Sequence, residues 1–263
     1  DIYLPQLKIA IEFNGLYWHS EAQGKDNKYH INKTLACEEK DIRLIHIFED
    51  EWLENKKIIK SKLKHILGIN DKPAIYARNC YIKKISTKKK NKFLNKYHIQ
   101  GKDSSSIKLG LFNLQTKKLL AVMTFCKPRL SLNGNKNKYD YELSRYATSY
   151  NYRVVGGFGK LFTYFKNNYE WKAIITYADR RWSDGNLYEK CGFELNHVSK
   201  PSYWYIHKTT TNKREYRFKY RKQKLKELFP NLYESTKSES QIMKEAGYYR
   251  LWDCGNLVFT YTK

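Results

Sequence analysis

The sequence predicts an α/β protein in two parts: a small ββαβα module over the first 70 residues, then a larger mixed-sheet part that carries the positive charge. Three observations predict it. Apolar and polar residues alternate with the period of two that marks a half-buried strand in Lys8–Asn14 and Arg43–Phe48. Strands and a glycine-rich turn before a helix follow from Ser106 onward. Residues 1 to 74 hold 12 Lys+Arg and 12 Asp+Glu, so the whole formal charge of +24 falls on the remainder, with 38 basic and 14 acidic residues.

Composition bounds the class. At 263 residues the chain has room for two units, each able to bury a core. Hydrophobic residues at 41% and aromatics at 16% exclude wholesale disorder. No apolar run reaches the ~18 residues of a membrane span, and no signal peptide is visible. The five cysteines, Cys37, Cys80, Cys126, Cys191 and Cys254, form no CxxC pair, so neither a zinc site nor a disulfide framework is indicated, and a cytoplasmic setting is expected. A lysine-rich composition alone would not divide so unevenly along the chain. The charge therefore points to a polyanion, with nucleic acid ahead of an anionic membrane because no amphipathic anchor accompanies it. The chain opens at Asp1 directly in strand-like sequence, which reads as a fragment with residues upstream.

In the first module, Ile9, Ile11 and Phe13 are expected on the core face of a strand, with Ala10, Glu12 and Asn14 on the other. Asp1–Leu4 reads as its hairpin partner, and a two-residue reversal at Gln6-Leu7 sets Asp1 across from Glu12. Facing carboxylates at Cβ separations of about 4.5–5.5 Å suit Mg²⁺ or Mn²⁺. Gly15 ends the strand and Leu16–His19 brings an imidazole to that edge. Residues 25–40 are helical, with Tyr29, Lys33 and Cys37 on one face and His30 beside them; Arg43–Phe48 is a strand; Glu49 opens a lysine-rich helix to about Leu67. A lone strand histidine such as His46 reads as structural. Glu49, Asp50 and Glu51 read as acids complementing the helix dipole.

Residues 71–95 read as a basic linker, 96–208 as a mixed-sheet domain, and 209–263 as a basic and aromatic C-terminal segment that contacts DNA. Strands are expected at 107–112, 119–125, 139–146 and 173–177, with the turn Arg153–Lys160 opening a helix at 161–168, an anion-binding arrangement. Phosphate contacts are expected from Arg153 and Lys160, from Arg180 and Arg181 beside a stacking Trp182, and from Lys213, Arg214, Arg217, Lys219, Arg221 and Lys222, a run that equally fits a solvated helix.

The string Asp1-Ile-Tyr-Leu-Pro, Ile11-Glu-Phe-Asn-Gly-Leu-Tyr-Trp-His19, Tyr29-His-Ile-Asn-Lys33 and Ile45-His-Ile-Phe-Glu-Asp-Glu-Trp52 resembles the PD-(D/E)XK nucleases, in particular the very-short-patch-repair-like nuclease half of phage homing endonucleases. The segments Tyr97–Gly101, 177–190 and 249–256 resemble the C-terminal part of the same proteins. Arg153 and Gly156 resemble the pyrophosphate loop of the GNAT acyltransferase superfamily, with Phe158 in that loop's final small position. The resemblance implies a sequence-selective, metal-dependent endonuclease. Asp1 and Glu12 would hold the ion with a backbone carbonyl such as that of Phe13, His19 would act as general base, and His30 or Lys33 would stabilise charge on phosphate. Asn14, where relatives have Lys or Asp, would orient water or substrate. A cofactor in the GNAT-like part is not expected. Two alternatives stay open: an acyl-CoA-dependent nucleobase-modifying enzyme, and a DNA-binding protein with an inactive nuclease module, in keeping with Asn14 and with His30 where relatives often have Asp. The sequence gives no oligomeric state.

Overall fold

The protein is described from a computed structural model over residues 1–69, 71–129, 138–209 and 213–263. Asn70, inside the stretch read as a break between parts, and residues 210–212, at the start of the C-terminal segment, lie outside the described residues. In chain order the elements are β1 (Ile2–Leu4), β2 (Ile9–Asn14), α1 (Tyr29–Glu38), β3 (Arg43–Phe48), α2 (Glu49–Ile66), β4 (Ala74–Tyr76), β5 (Cys80–Lys84), α3 (Thr87–Tyr97), β6 (Ile107–Asn113) and β7 (Leu119–Cys126). There follow β8 (Tyr141–Thr148), β9 (Arg153–Val155), α4 (Gly157–Asn168), β10 (Ala173–Asp179), α5 (Asn186–Glu189), β11 (Glu194–Val198), β12 (Tyr203–His207), β13 (Glu215–Tyr216), α6 (Lys222–Leu228), α7 (Glu239–Glu245), β14 (Tyr248–Trp252) and β15 (Asn256–Thr262).

The expected ββαβα order is present, but the units are not contiguous in sequence. Unit 1 comprises residues 1–54, 179–184 and 198–256; unit 2 comprises 55–178, 185–197 and 257–263. The boundaries read from the sequence, at 70, 95 and 208, therefore do not coincide with them. The C-terminal segment is shared out, because β14 joins a sheet of unit 1 while β15 enters the large sheet. Contacts that close across two hundred residues leave no local mark in the sequence.

Unit 1 has two three-stranded sheets, β1-β2-β3 and β13-β12-β14. β1 and β2 pair antiparallel with Ile2 opposite Ile11 and Leu4 opposite Ile9. The reversal is a 3-10 turn over Pro5–Leu7, closed by Lys8 in the left-handed region. β2 and β3 are parallel, connected through α1, with Glu12 opposite His46 and Asn14 opposite Phe48. The expected inward face is reversed toward the end of β2: Phe13 is 46% exposed, while Glu12 and Asn14 are buried. The physical reason is partner supply, since His30 and Lys33 of α1 and His46 of β3 meet these polar groups there.

A second buried polar cluster lies in unit 1. The Arg181 guanidinium reaches Glu51 at 3.0 Å and Asp179 at 2.6 Å, and Arg214 reaches Asp50 at 3.0 Å and Glu51 at 2.7 Å. Both guanidiniums also lie over the rings of Phe48 and Trp204. Burial opposes the Glu51 charge, but the two arginines prevail and hold its carboxyl at about 2. Asp50 and Glu51 do stand in the first turn of α2, yet they serve buried ion pairs beyond any effect on the helix dipole.

Unit 2 is a mixed seven-stranded sheet in the order β11-β15-β10-β8-β7-β6-β5, with β4 and β9 forming a separate parallel pair. Its core includes Leu109, Leu111, Met123 and Phe125 from the sheet and Leu161, Phe162 and Phe165 from α4. A second cluster packs Phe93 and Leu94 of α3 with Phe112, Val122 and Ala147. β8 and β10 are parallel but pair only through Tyr141–Leu143 and Ile174–Thr176. Rings of β8, α4 and α5 meet in the core of this unit: Tyr146 lies 5.1 Å from Phe158, and Phe158 lies 5.9 Å from Tyr188.

Replacing Arg181 by Met leaves Glu51 and Asp179 without their shared cation, and breaking a buried pair this way costs about 3–5 kcal/mol. Urea unfolding measures this, and an unchanged midpoint would show that the cluster contributes nothing to stability.

Candidate functional site

The polar side of β2 gathers most of the residues singled out in the sequence. Continuing the β1-β2 register by one residue places Asp1 across from Glu12, and Asp1 Oδ1 accepts a hydrogen bond from the Phe13 backbone N–H at 3.3 Å. Glu12 is met on both oxygens. Lys33, one turn into α1, donates to Oε1, and His46 Nδ1 stands 3.0 Å from Oε2. The histidine read as a structural bystander is thus a direct partner of the central carboxylate. Its only advance signal was the parallel register that a strand-helix-strand crossover creates, and that register is not fixed by local pattern.

The remaining groups close a network. Thr34 Oγ1 donates to the His30 carbonyl at 2.9 Å, so its oxygen accepts from His46 Nε2 at 3.0 Å. His30 Nε2 lies 3.2 Å from Asn14 Oδ1, and Asn14 Nδ2 lies 3.4 Å from His46 Nδ1. His30 and Thr34 occupy the same face of α1 because they are four residues apart. His19 stacks on His30 with ring centroids 5.5 Å apart and stands edge-on to Tyr29. It is placed by the turn that follows Gly15, where the His19 N–H donates to the Gly15 carbonyl.

Burial and charge set the protonation of these groups. Desolvation resists ionisation of Glu12, but the hydrogen bonds from His46 and Lys33 outweigh it and hold the carboxyl at about 2. Desolvation pushes His30 down to about 3, helped by the neighbouring His46 and His19, and it lowers His19 as well. Burial also works against the Lys33 ammonium, yet Glu12 and Tyr29 raise it. At neutral pH the site therefore presents an anion, an ammonium and two neutral imidazoles. His19 Nδ1 is buried and finds no partner among the described residues.

His19 also lines a cleft of about 600 Å³ with Phe13, Gly15, Leu16, Tyr17, Trp18, Glu49 and the segment 206–209. Trp18 is 67% exposed, so an apolar surface stands beside the polar cluster. Glu49 Oε2 accepts from the Leu16 N–H at 3.0 Å and holds the turn that carries His19.

Among the described residues no group of three or more His, Cys, Asp or Glu side chains is placed to hold a metal ion. Mg²⁺ does not require one, because it commonly takes one or two carboxylates and fills its octahedron with water and substrate phosphate. Asp1 and Glu12, opposed on adjacent strands with the Phe13 carbonyl between them in sequence, supply a hard oxygen donor set of that kind.

The expected phosphate contacts are mostly engaged elsewhere. Arg181 and Trp182 are buried, so neither offers a fork or a stacking face to a ligand. Arg180 is bound by Glu38, and Arg214 belongs to the buried cluster. Lys213 pairs with Glu54 at 2.7 Å and Lys219 with Glu215 at 3.0 Å. Lys160 donates to the carbonyls of Ala77 and Cys80, which ties it to the protein backbone. Arg217 lies over Tyr203 and Phe218, Arg221 over Phe218, and Lys222 donates to the Ser235 carbonyl. The run 213–222 is not one helix but β13, a 3-10 turn over Arg217–Tyr220 and the start of α6. Arg153 alone of the glycine-rich pair stays exposed, with its backbone N–H bonded to the Pro73 carbonyl.

No family model matches the chain, and no curated protein matches it. Among solved structures it is similar to one described as histone acetyltransferase HPA2 and related acetyltransferase from Corynebacterium glutamicum, at 19% identity over 35% of this chain, with a TM-score of 0.26. The match spans 55% of that protein's length. The likeness is loose, and the sheet order and strand splay of unit 2 stand on their own. No helix among the described residues is long and apolar enough to cross a membrane.

His30 ties stability to pH. Its folded value lies below the ordinary imidazole value of 6.5, so the unfolded chain binds the extra proton. The stabilisation is complete above pH 6.5 and is lost as pH falls toward 3, at a slope approaching 1.4 kcal/mol per unit, roughly 2 kcal/mol between pH 7 and pH 5. Denaturant titrations of His30→Asn should show a flatter profile over that window than the parent; identical slopes would remove His30 as the cause.

Proposed function

We propose that this protein is a metal-dependent endonuclease acting on double-stranded DNA, with its reaction centre on β2 and α1 of unit 1. The observation that carries the reading is the convergence on one carboxylate, Glu12, of the Lys33 ammonium and the His46 imidazole, with a second carboxylate, Asp1, across the hairpin and the His30 and His19 rings stacked beside the cluster. Phosphodiester hydrolysis needs each of these chemical types: an anionic ligand, a cation for the developing charge, and an acceptor for the proton of water. The resemblance of the same residues to very-short-patch-repair-like nucleases supports it, and a homing role rests on that resemblance alone.

Asp1 and Glu12 would hold Mg²⁺ or Mn²⁺, which when bound would polarise the phosphate and acidify a water. Glu12 stays ionised at neutral pH because Lys33 and His46 stabilise its charge. The Lys33 ammonium, raised by Glu12 and by Tyr29 4.6 Å away, remains available to neutralise charge on phosphate oxygens. His19, lowered by burial and facing the cleft, accepts the proton. His30 and Asn14 form a buried strut that fixes the imidazole stacked upon it.

A second reading, a DNA-binding protein whose nuclease centre is inactive, draws on Lys33 closing directly onto Glu12 in the place an ion would take.

Plasmid cleavage in Mg²⁺ decides among them. The protein should cut duplex DNA and stop in EDTA, and Glu12→Gln should slow cutting by a hundredfold or more. A variant as active as the parent would refute the assignment. The acid limb of the cleavage rate should lie below pH 6.5, because burial lowers His19 and the neutral form is the active one. His19→Ala should lose that limb together with most of the rate; a limb that survives unchanged assigns the base elsewhere.

A further inference from the structure

The folded units divide the charge almost as unevenly as the two ends of the chain do. Unit 1 contains 21 Lys+Arg and 19 Asp+Glu; against totals of 50 and 26, unit 2 is left with 29 and 7. Within unit 2 the excess is concentrated again. Residues 72–102 include ten basic residues and no acidic one. Lys90 alone among them turns inward, where it is buried against Asp103 at 2.7 Å.

The exposed members follow a pattern. α3 packs Phe93 and Leu94 into the core and sends Lys88, Lys89, Lys92 and Lys96 to the surface. Lys88, Lys92 and Lys96 repeat at four-residue steps, so the ammoniums form one stripe about 12 Å long. Lys83 and Lys84 at the end of β5 are exposed as well, and β5 is the edge strand of the sheet. Like charges four residues apart destabilise a helix unless a polyanion neutralises them.

Aromatic rings, not carboxylates, lie beside several of these lysines. Lys83 and Lys117 both stand 5.4 Å from the centre of the Tyr81 ring, Lys89 lies 4.7 Å above Phe112, and Lys84 lies 5.2 Å from Tyr169. Lys108 Nζ faces Thr87 at 3.5 Å. No carboxylate forms an ion pair with Lys83, Lys84, Lys88, Lys89, Lys92, Lys96, Lys108 or Lys117 among the described residues. Aromatic faces position Lys83, Lys84, Lys89, Lys96 and Lys117 and leave their charge uncompensated.

We propose that the stripe on α3, continued by Lys83 and Lys84 of β5, is the surface with which this protein grips the phosphate backbone of duplex DNA. Three features select that ligand. Phe93 and Tyr97 pack at a tilt with centroids 4.5 Å apart and Tyr81 stacks on Phe112, so the rings near the stripe are used in packing and offer no platform to the bases of a single strand. The apolar residues of α3 are in the core, which leaves nothing to insert into a bilayer. Uncompensated ammoniums on flexible stems are point-charge contacts to phosphate, which fix register without reading bases. The surface deepens the endonuclease reading by naming what holds its substrate, and it can be tested without cleavage.

Fluorescence anisotropy of a labelled 30-base-pair duplex in EDTA, with the full chain and at several salt concentrations, tests it. Each neutralised phosphate contributes about 0.9 to the slope of log affinity against log salt. Replacing Lys88, Lys89, Lys92 and Lys96 by Gln should therefore reduce the slope by about 3 to 4 and weaken binding at least tenfold at moderate salt. Replacing four exposed lysines on other elements, Lys172, Lys190, Lys224 and Lys226, removes the same charge and should change the slope by less than 1. Equal effects of the two quadruple variants would overturn the proposal, as would binding to anionic phosphatidylserine vesicles without binding to the duplex, or a preference for single strands. Circular dichroism of both variants confirms that each is folded. Tight duplex binding by a parent protein that fails to cut in Mg²⁺ would sink the nuclease reading and leave this surface standing.

Discussion

Glu12 is the constraint around which the first unit is organised. A carboxylate that is 4% exposed loses several kcal/mol of hydration, and it stays ionised only if the surrounding chain provides hydrogen-bonding cations or donors in good geometry. That requirement fixes the pitch of α1, which must bring Lys33 to one oxygen while presenting His30 and Thr34 to the layer beneath. It fixes the register of β3 too, because His46 reaches the other oxygen only when it lies directly opposite Glu12. A slip of one residue between these strands would turn His46 to the opposite face and strand the carboxylate.

The same rule explains why so many cations of unit 1 are poor candidates for binding a ligand. Asp50, Glu51 and Asp179 are buried with Arg181 and Arg214, and each member needs the others. A guanidinium buried against carboxylates between the rings of Phe48 and Trp204 cannot reach a phosphate without breaking the fold. A cation therefore counts toward an interface only after its internal partners are known, and the lysines of α3 meet that condition.

Much of the local architecture was legible. The alternation in Lys8–Asn14 and Arg43–Phe48 marked real strands, and the hairpin register that opposes Asp1 and Glu12 followed from residue spacing even though the turn is a 3-10 turn. The glycine-rich segment does open a helix, at Gly157 and not at Leu161. What failed was long-range. The inward face of β2 was assigned from hydrophobicity, which ranks Phe13 above Glu12, whereas the buried side was decided by partners on α1 and β3. His46 was undervalued for the same reason. Arg181 and Trp182 looked like a phosphate fork beside a stacking ring because sequence proximity cannot show that both are enclosed. The discontinuous units escaped notice because they are joined by contacts between distant stretches, such as those of Arg250 and Trp252 with Glu21.

The uneven charge has a chemical consequence for the centre itself. The charged and polar groups that act on Glu12, His19 and His30 are Lys25, Lys33 and the cluster's own members, all within unit 1. Protonation there is set by burial and short hydrogen bonds, which salt screens weakly. Attraction of a polyanion by exposed lysines is screened within about 8–10 Å at ordinary ionic strength. Burial and local hydrogen bonds therefore set the acid–base state of the carboxylate and imidazoles, and that state should change little with ionic strength.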